Sequence, residues 1–198
     1  MAKQNKRRVS GAHSVRIIAG NWRGSRIPIP AESGVRPTPD RVRETLFNWL
    51  SDMIPGARCL DLFAGTGILG FEALSRQAEE VWFVETDSLL VQSLRTQITR
   101  FSADAKIIHE DASAVLEGPV SRQFDIVFLD PPYERPLEPL LAKLSPWLAP
   151  RARVYVERPQ IGGAGCDLDQ LTATLPGAIL AKEGRAAAVC YGLLTLQE

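Results

Sequence analysis

The chain has 198 residues, of which 45% are hydrophobic and 23% charged, and its 23 basic and 23 acidic side chains cancel. That size and balance exclude a disordered or fibrous protein and allow one full domain with a small appendage. Apolar runs are no longer than strands, and the polar, basic start lacks an apolar signal core, so neither a membrane span nor secretion is expected.

The neutral total hides an asymmetry. Residues 1–50 carry ten Lys and Arg against three acids, whereas the remainder carries 13 against 20. A basic arm on an acidic body points to a polyanionic partner. Three cysteines (Cys59, Cys166 and Cys190) are widely spaced and form no C-x-x-C pair. Neither a metal site nor a disulfide is expected, and a reducing cytoplasm fits.

The first 14 residues read as a disordered basic tail in which Lys6-Arg7-Arg8 is available to phosphates. Strands are expected over 15–19 and 22–28, joined by a turn at Gly20-Asn21. This hairpin displays Arg16, Arg23 and Arg26 and is too short to stand alone. Arg36-Pro37-Thr38-Pro39-Asp40 then opens a helix, with Thr38 as N-cap and Pro39 in the first helical position. Val42, Leu46, Trp49 and Leu50 make its core stripe, and Arg41 and Arg43 lie off it. Residues 15–55 thus form an N-terminal extension, with Arg16, Arg23, Arg26, Arg36, Arg41 and Arg43 as its candidate cations for a polyanion, which the resemblance given below implies is RNA.

From residue 56 onward strands and helices alternate. Strands are expected over 59–63, 81–85, 106–109, 124–130 and 153–157, and helices over 68–76, 88–101, 112–116 and 137–148. That rhythm predicts an α/β fold with a doubly wound, mostly parallel Rossmann-like sheet. Two closing strands, over 179–182 and 187–196 around Glu183-Gly184-Arg185, predict an antiparallel end to the sheet.

Two stretches carry chemistry. In the first, Asp61-Leu62-Phe63 leads into the tight loop Ala64-Gly65-Thr66-Gly67, whose glycines let a ligand approach the backbone. The run from Gly65 to Gly70 also matches G-x-G-x-x-G, a pattern that by itself suggests a dinucleotide. Asp61 argues against that, because an acid there repels a pyrophosphate and attracts an ammonium. Glu85 ends the second strand of this fold, where it is placed to grip ribose hydroxyls. The two acids together fit a ligand with a ribose and a cationic amino-acid part. In the second stretch, Asp130-Pro131-Pro132-Tyr133 ends the buried run 124–129. The prolines force a rigid exit from the sheet, the Asp and the carbonyls are acceptors, and the ring offers a stacking face. Such a receptor suits a planar group bearing an exocyclic amine.

These two stretches together resemble the class I S-adenosylmethionine-dependent methyltransferases. The resemblance implies a cofactor site of Asp61, Phe63, Ala64, Gly65, Gly67, Glu85, Thr86, Asp111, Ala112 and Asp130. The glycine loop then passes beside the methionine part, Glu85 binds ribose, and Asp111 meets the adenine amine with Ala112 beside it. Asp61 either reaches the ligand or holds the loop, and Asp111 can alternatively cap the helix after it. No metal is implied.

A closer likeness lies in Arg16-Ile17-Ile18-Ala19-Gly20-Asn21-Trp22-Arg23-Gly24, in Arg36-Pro37-Thr38 and in the block from Arg41 to Asn48. With the Asp61–Gly67 and Phe124–Pro132 segments, these are similar to the RsmD family over roughly residues 15–196. That resemblance implies methylation of the N2 amine of a guanine in bacterial 16S ribosomal RNA, at the position usually counted as 966. The substrate is then an assembling 30S particle in the cytoplasm, the enzyme is taken as a monomer, and residues 56–198 form the methyltransferase domain. Asp130, Pro131, Pro132 and Tyr133 become the catalytic residues. Competing readings are methylation of DNA adenine N6 or cytosine N4, or of a protein glutamine. A non-catalytic RNA-binding protein and a nicotinamide-dependent oxidoreductase are two further alternatives.

Overall fold

The computed structural model describes residues 14–35, 37–160, 167–186 and 189–197. The expected tail and Arg36 lie outside them. The first elements are β1 (Ser14–Arg16) and β2 (Arg26–Pro28), paired antiparallel with Val15 opposite Ile27, and then α1 (Asp40–Trp49). Both strands are shorter than expected because the chain between them leaves the ladder to bond elsewhere. Glu72 accepts from Ile18 N and Ala19 N at 2.7 and 3.0 Å, and Asn21 N donates to Ser75 O at 2.7 Å. Gly20 makes this approach possible. Its φ is +82°, and a Cβ there would lie 1.9 Å from Ser75 O. Trp22 stacks on Phe101 at 4.5 Å, so the small hairpin is stabilised by the body.

The body alternates β3 (Arg58–Asp61), α2 (Ile68–Ser75), β4 (Glu80–Val84), α3 (Ser88–Phe101), β5 (Ala105–Ile108) and α4 (Ala112–Glu117). It continues through β6 (Phe124–Leu129), α5 (Glu138–Leu144), β7 (Leu148–Pro159), β8 (Ala178–Ala186) and β9 (Val189–Leu196). One seven-stranded sheet results, in the order β5-β4-β3-β6-β7-β9-β8. The first five of these strands are parallel, and β9 is antiparallel to both β7 and β8. Strand alternation sends Cys59, Phe83, Ile126 and Phe128 into a core shared with α1, α2 and the hairpin. Leu60, Trp82, Val127 and Leu129 point into a second core under α4 and α5. Coverage of both faces explains why β6 is apolar at nearly every position.

The chain runs outward from β3 through β4 to β5, then returns to place β6 on the other side of β3. That reversal opens a crevice beyond the carboxyl ends of β3 and β6. Gly67 supports the crevice wall. Its φ is +77°, and a Cβ would lie 2.4 Å from Leu94.

Several expectations need correcting. Thr38 does not cap α1, whose N-cap is Pro39 without a side-chain bond. Arg43 is not on an open face but fully buried, because the hairpin and α2 cover a second side of α1. The long 137–148 helix stops at Leu144 and tightens into a 3-10 turn over Ser145–Trp147, where Pro146 interrupts it. Glu183-Gly184-Arg185 is no turn but part of β8, opposite β9. Gly184 is needed there because a Cβ would meet the Tyr191 ring at 2.5 Å. Cys190 is disulfide-bonded, since wide spacing along a chain does not prevent a pairing that the fold brings about. Cys59 is free and buried, and burial pushes its thiol well up. Among the described residues no helix is long and apolar enough to cross a membrane.

Candidate active site

Asp61 closes β3 with only 3% exposure, and its carboxylate accepts from Gly70 N at 3.3 Å. Burial pushes its pKa up to about 7 against the opposing Gly70 hydrogen bond, and Glu85 adds a smaller repulsion. The chain then turns tightly. Ala64 N donates to Val84 O and Gly67 N to Ala64 O, so the glycine loop is pinned to the end of β4. Glu85 reinforces that link: one oxygen accepts from Gly65 N at 2.8 Å, the other from Thr86 N and Asp87 N at 2.8 and 2.9 Å. Glu85 therefore holds the loop and Asp61 the first turn of α2 in this structure, and a carboxylate retains lone pairs beyond those used.

The raised Asp61 pKa has a consequence for stability. An unfolded Asp titrates near 3.9, so this carboxyl's contribution to stability is present below that value and lost as pH rises through about 7. Asp61→Asn keeps an acceptor for Gly70 N without a charge. The shift from 3.8 to about 7 sets a ceiling of about 4 kcal/mol. Relaxation around the carboxyl lowers this, so the variant is expected to melt about 2–8 °C above wild type at pH 8. The gap should shrink as pH falls toward 5. Thermal melting at both pH values checks this, and a variant no more stable than wild type at pH 8 would contradict a buried charge.

Asp111 caps α4 by accepting from Ser113 N at 2.8 Å, so the capping alternative is realised. It also forms a two-pronged pair with Arg135, at 2.7 and 2.9 Å. The Arg135 guanidinium holds the Asp111 carboxyl down at about 2, bonds Ser113 Oγ and lies 5.3 Å from the centre of the Phe63 ring. Arg135 was not legible as a site residue. It follows Tyr133 by two positions, but only the parallel packing of β5 and β6 around β3 and β4 carries its loop to Asp111. Ala112 is buried beneath this group, and the exposed Thr86 accepts a bond from His109 through its carbonyl at 2.9 Å, taking the imidazole as donor.

Across the switch point Asp130 follows β6, beside Asp61. Its carboxylate accepts from Thr38 Oγ1 at 3.3 Å. Burial pushes its pKa well up, Glu157 and Asp61 push the same way, and the Thr38 hydroxyl opposes them. Glu157 stands on the neighbouring β7, 6% exposed, and accepts from Tyr155 Oη at 2.8 Å. Thr38, Tyr155 and Glu157 all escaped sequence reasoning, although an acid ending a buried strand was a usable signal for Glu157. Pro131 is buried, Pro132 is exposed, and Tyr133 is 55% exposed at the mouth of the crevice. The site can thus accept hydrogen bonds from a planar amine and stack its ring.

The arginines divide. Arg16, Arg23, Arg26 and Arg41 are exposed, with Arg16 paired to Asp40 at 2.7 Å. Arg100 on α3 donates to Arg26 O at 2.8 Å and extends this basic face. Arg43 leaves the candidate set, since its buried guanidinium is consumed by Asp40, Glu72 and Thr38 O. A cavity of about 720 Å³ lined by Arg58, Glu79, Arg122 and Asp125 opens at the opposite ends of the strands, away from these carboxyls. Among the described residues no group of three or more His, Cys, Asp or Glu could hold a metal ion.

A family model described as Conserved hypothetical protein 95 matches residues 15–174. The chain is 46% identical over 150 residues to Ribosomal RNA small subunit methyltransferase D of Haemophilus influenzae, covering 72% of this chain and 78% of that protein. It is 44% identical over 152 residues to the protein of the same name from Escherichia coli, covering 75% and 76%. A solved structure described as a putative methyltransferase from Escherichia coli superposes with a TM-score of 0.81 at 37% identity, over 93% of this chain and 99% of that one.

Proposed function

Since the chain belongs to the RsmD family, that of the small-subunit ribosomal RNA methyltransferases D, we propose that it methylates the exocyclic N2 amine of a guanine in 16S ribosomal RNA. The methyl donor in this reading is S-adenosylmethionine, and the substrate is an assembling small-subunit particle. The observation that carries it is the meeting of Asp130-Pro131-Pro132-Tyr133 with the Gly65–Gly67 loop at one switch point.

The residues present fit that cofactor. Glu85 and the loop backbone would hold its ribose and amino-acid part, and Phe63, Asp111 and Ala112 would line the adenine. Asp111 keeps lone pairs for an amine beside those taken by Arg135. When bound, S-adenosylmethionine supplies an electrophilic methyl group on a sulfonium.

The chain's own residues supply positioning and proton acceptance. A guanine N2 is a poor nucleophile because its lone pair is delocalised into the ring. The Asp130 carboxylate and the Pro131 carbonyl accept its two N–H groups, which fixes the nitrogen and turns its lone pair to the incoming methyl. The amine loses one proton on methylation. Asp130 takes it readily, because burial raises its proton affinity. Tyr133 stacks on the base, a contact worth ~1–3 kcal/mol, and an unpaired nucleotide enters at less cost than a paired one.

Arg16, Arg23, Arg26 and Arg41 grip RNA phosphates, giving affinity without sequence readout. A triple Arg23→Ala, Arg26→Ala, Arg41→Ala variant is expected to bind RNA more weakly and to lower the slope of log K against log salt by about 2. A salt titration of binding checks this, and an unchanged slope removes these residues from the RNA face.

The test of the function is transfer of a tritiated methyl group to small-subunit particles from cells lacking the enzyme. Label recovered as N2-methylguanine at one position supports the reading. Label on DNA or protein instead keeps the enzyme class and overturns the substrate.

A further inference from the structure

The carboxylate that orients the amine and takes its proton is not set by its own domain alone. Thr38 lies 92 residues before Asp130, is 6% exposed, and donates its hydroxyl to Asp130 Oδ2. We propose that Thr38 is a positioning residue for methyl transfer: the N-terminal extension holds its hydroxyl against one Asp130 oxygen, leaving the other for the substrate amine. This rests on the role given to Asp130 above.

Three features argue that the placement is built. Pro37 and Pro39 flank Thr38, and a residue before proline is confined to extended backbone. Its carbonyl accepts from Arg43 Nε at 3.1 Å. Arg43 in turn is fully buried and paired with Asp40 at 2.6 Å and with Glu72 at 3.4 Å, and Glu72 also takes the hairpin amides of Ile18 and Ala19. A buried cation thus locks the backbone of a single threonine from α1, α2 and the hairpin. Nor is the hydroxyl used for capping, the ordinary employment of a threonine at this point of a helix.

The hydroxyl answers an electrostatic problem. The charged groups facing Asp130 are Asp61 from β3 and Glu157 from β7, both carboxyls, and Glu157 has its own donor in Tyr155. Surrounded this way, Asp130 tends to keep a proton and then cannot accept one from the amine. A donor on one oxygen favours the ionised form and also fixes the plane of the carboxylate.

The test compares wild type with Thr38→Val, Thr38→Ala and Thr38→Ser on the same particles. Kinetics as a function of pH, cofactor binding by calorimetry and thermal melting are read for each. Valine and alanine are expected to lower kcat by about 10–100-fold, with KM for the particle and Kd for S-adenosylmethionine within about twofold. The acidic limb of the kcat profile, where activity is lost as Asp130 takes a proton, is expected to move up by about one pH unit. Serine restores both. Wild-type kcat with an unmoved limb in the valine or alanine variant overturns the proposal. So does a loss that serine fails to restore, or one that merely follows a fall in melting temperature and cofactor binding. A wild-type enzyme that labels no particle overturns the parent reading instead.

Discussion

Asp130→Asn is expected to slow methyl transfer at least about a thousandfold while S-adenosylmethionine binds within a few-fold of wild type. The change is nearly isosteric, so the prolines and Tyr133 keep their places. What it removes is specific. An amide presents one acceptor oxygen and an NH2 group, and an NH2 facing a guanine amine sets donor against donor. The amide also cannot take the proton that N2 releases. Stability should move the other way. Asp130 sits among Asp61 and Glu157 with its pKa pushed well up, so its contribution to stability is present at low pH and lost as pH rises through the raised value. The asparagine variant is therefore expected to melt at or above wild type at pH 8. Single-turnover kinetics with saturating particles separates chemistry from binding, and a variant retaining more than about a tenth of the rate would remove Asp130 from the chemistry.

Glu72→Ala is expected to give the largest loss of stability, about 3–5 kcal/mol, or about 6–20 °C in melting temperature. The side chain is fully buried in α2, yet it accepts from four donors: Ile18 N, Ala19 N, Arg43 and Arg76. Its removal leaves the buried Arg43 with Asp40 as its one carboxylate beside the Thr38 carbonyl, and two backbone N–H groups without partners. It should also loosen the hairpin, because the hydrogen bonds tying Ala19 to Trp22 onto α2 are then those to Ser75 alone, beside the Trp22–Phe101 stack. Limited proteolysis should cut the variant between the hairpin and α1 at protease levels that spare wild type. Denaturant unfolding gives the energy, and a loss below about 1 kcal/mol would mean that water reaches Arg43.

Much of the body was legible. The helix α3 begins at Ser88 and ends at Phe101, the range expected from the sequence, because Asp87 caps it and a left-handed Ser102 stops it. The mostly parallel sheet and its antiparallel finish likewise follow from the alternation of strands and helices and from connection length. The misreadings share a cause. Arg43 was placed outside because one apolar stripe was assumed for α1, whereas the hairpin and α2 cover a second side. Gly184 looked like a turn residue because a glycine's reason for being there can be a ring across the sheet, here Tyr191. Thr38 looked like a cap because the local spacing allowed it.

Chain-local chemistry by itself determined the glycine loop, the acids at the strand ends and the rigid Asp130–Tyr133 exit, because each is written within a few consecutive residues. Tertiary structure alone decided which groups those acids meet. Thr38 reaches Asp130, Arg135 closes on Asp111, and Glu72 gathers the hairpin amides only once the strands are ordered around β3. A hydrogen bond acts over about 3 Å, and no periodicity along a sequence records which residues folding will bring that close.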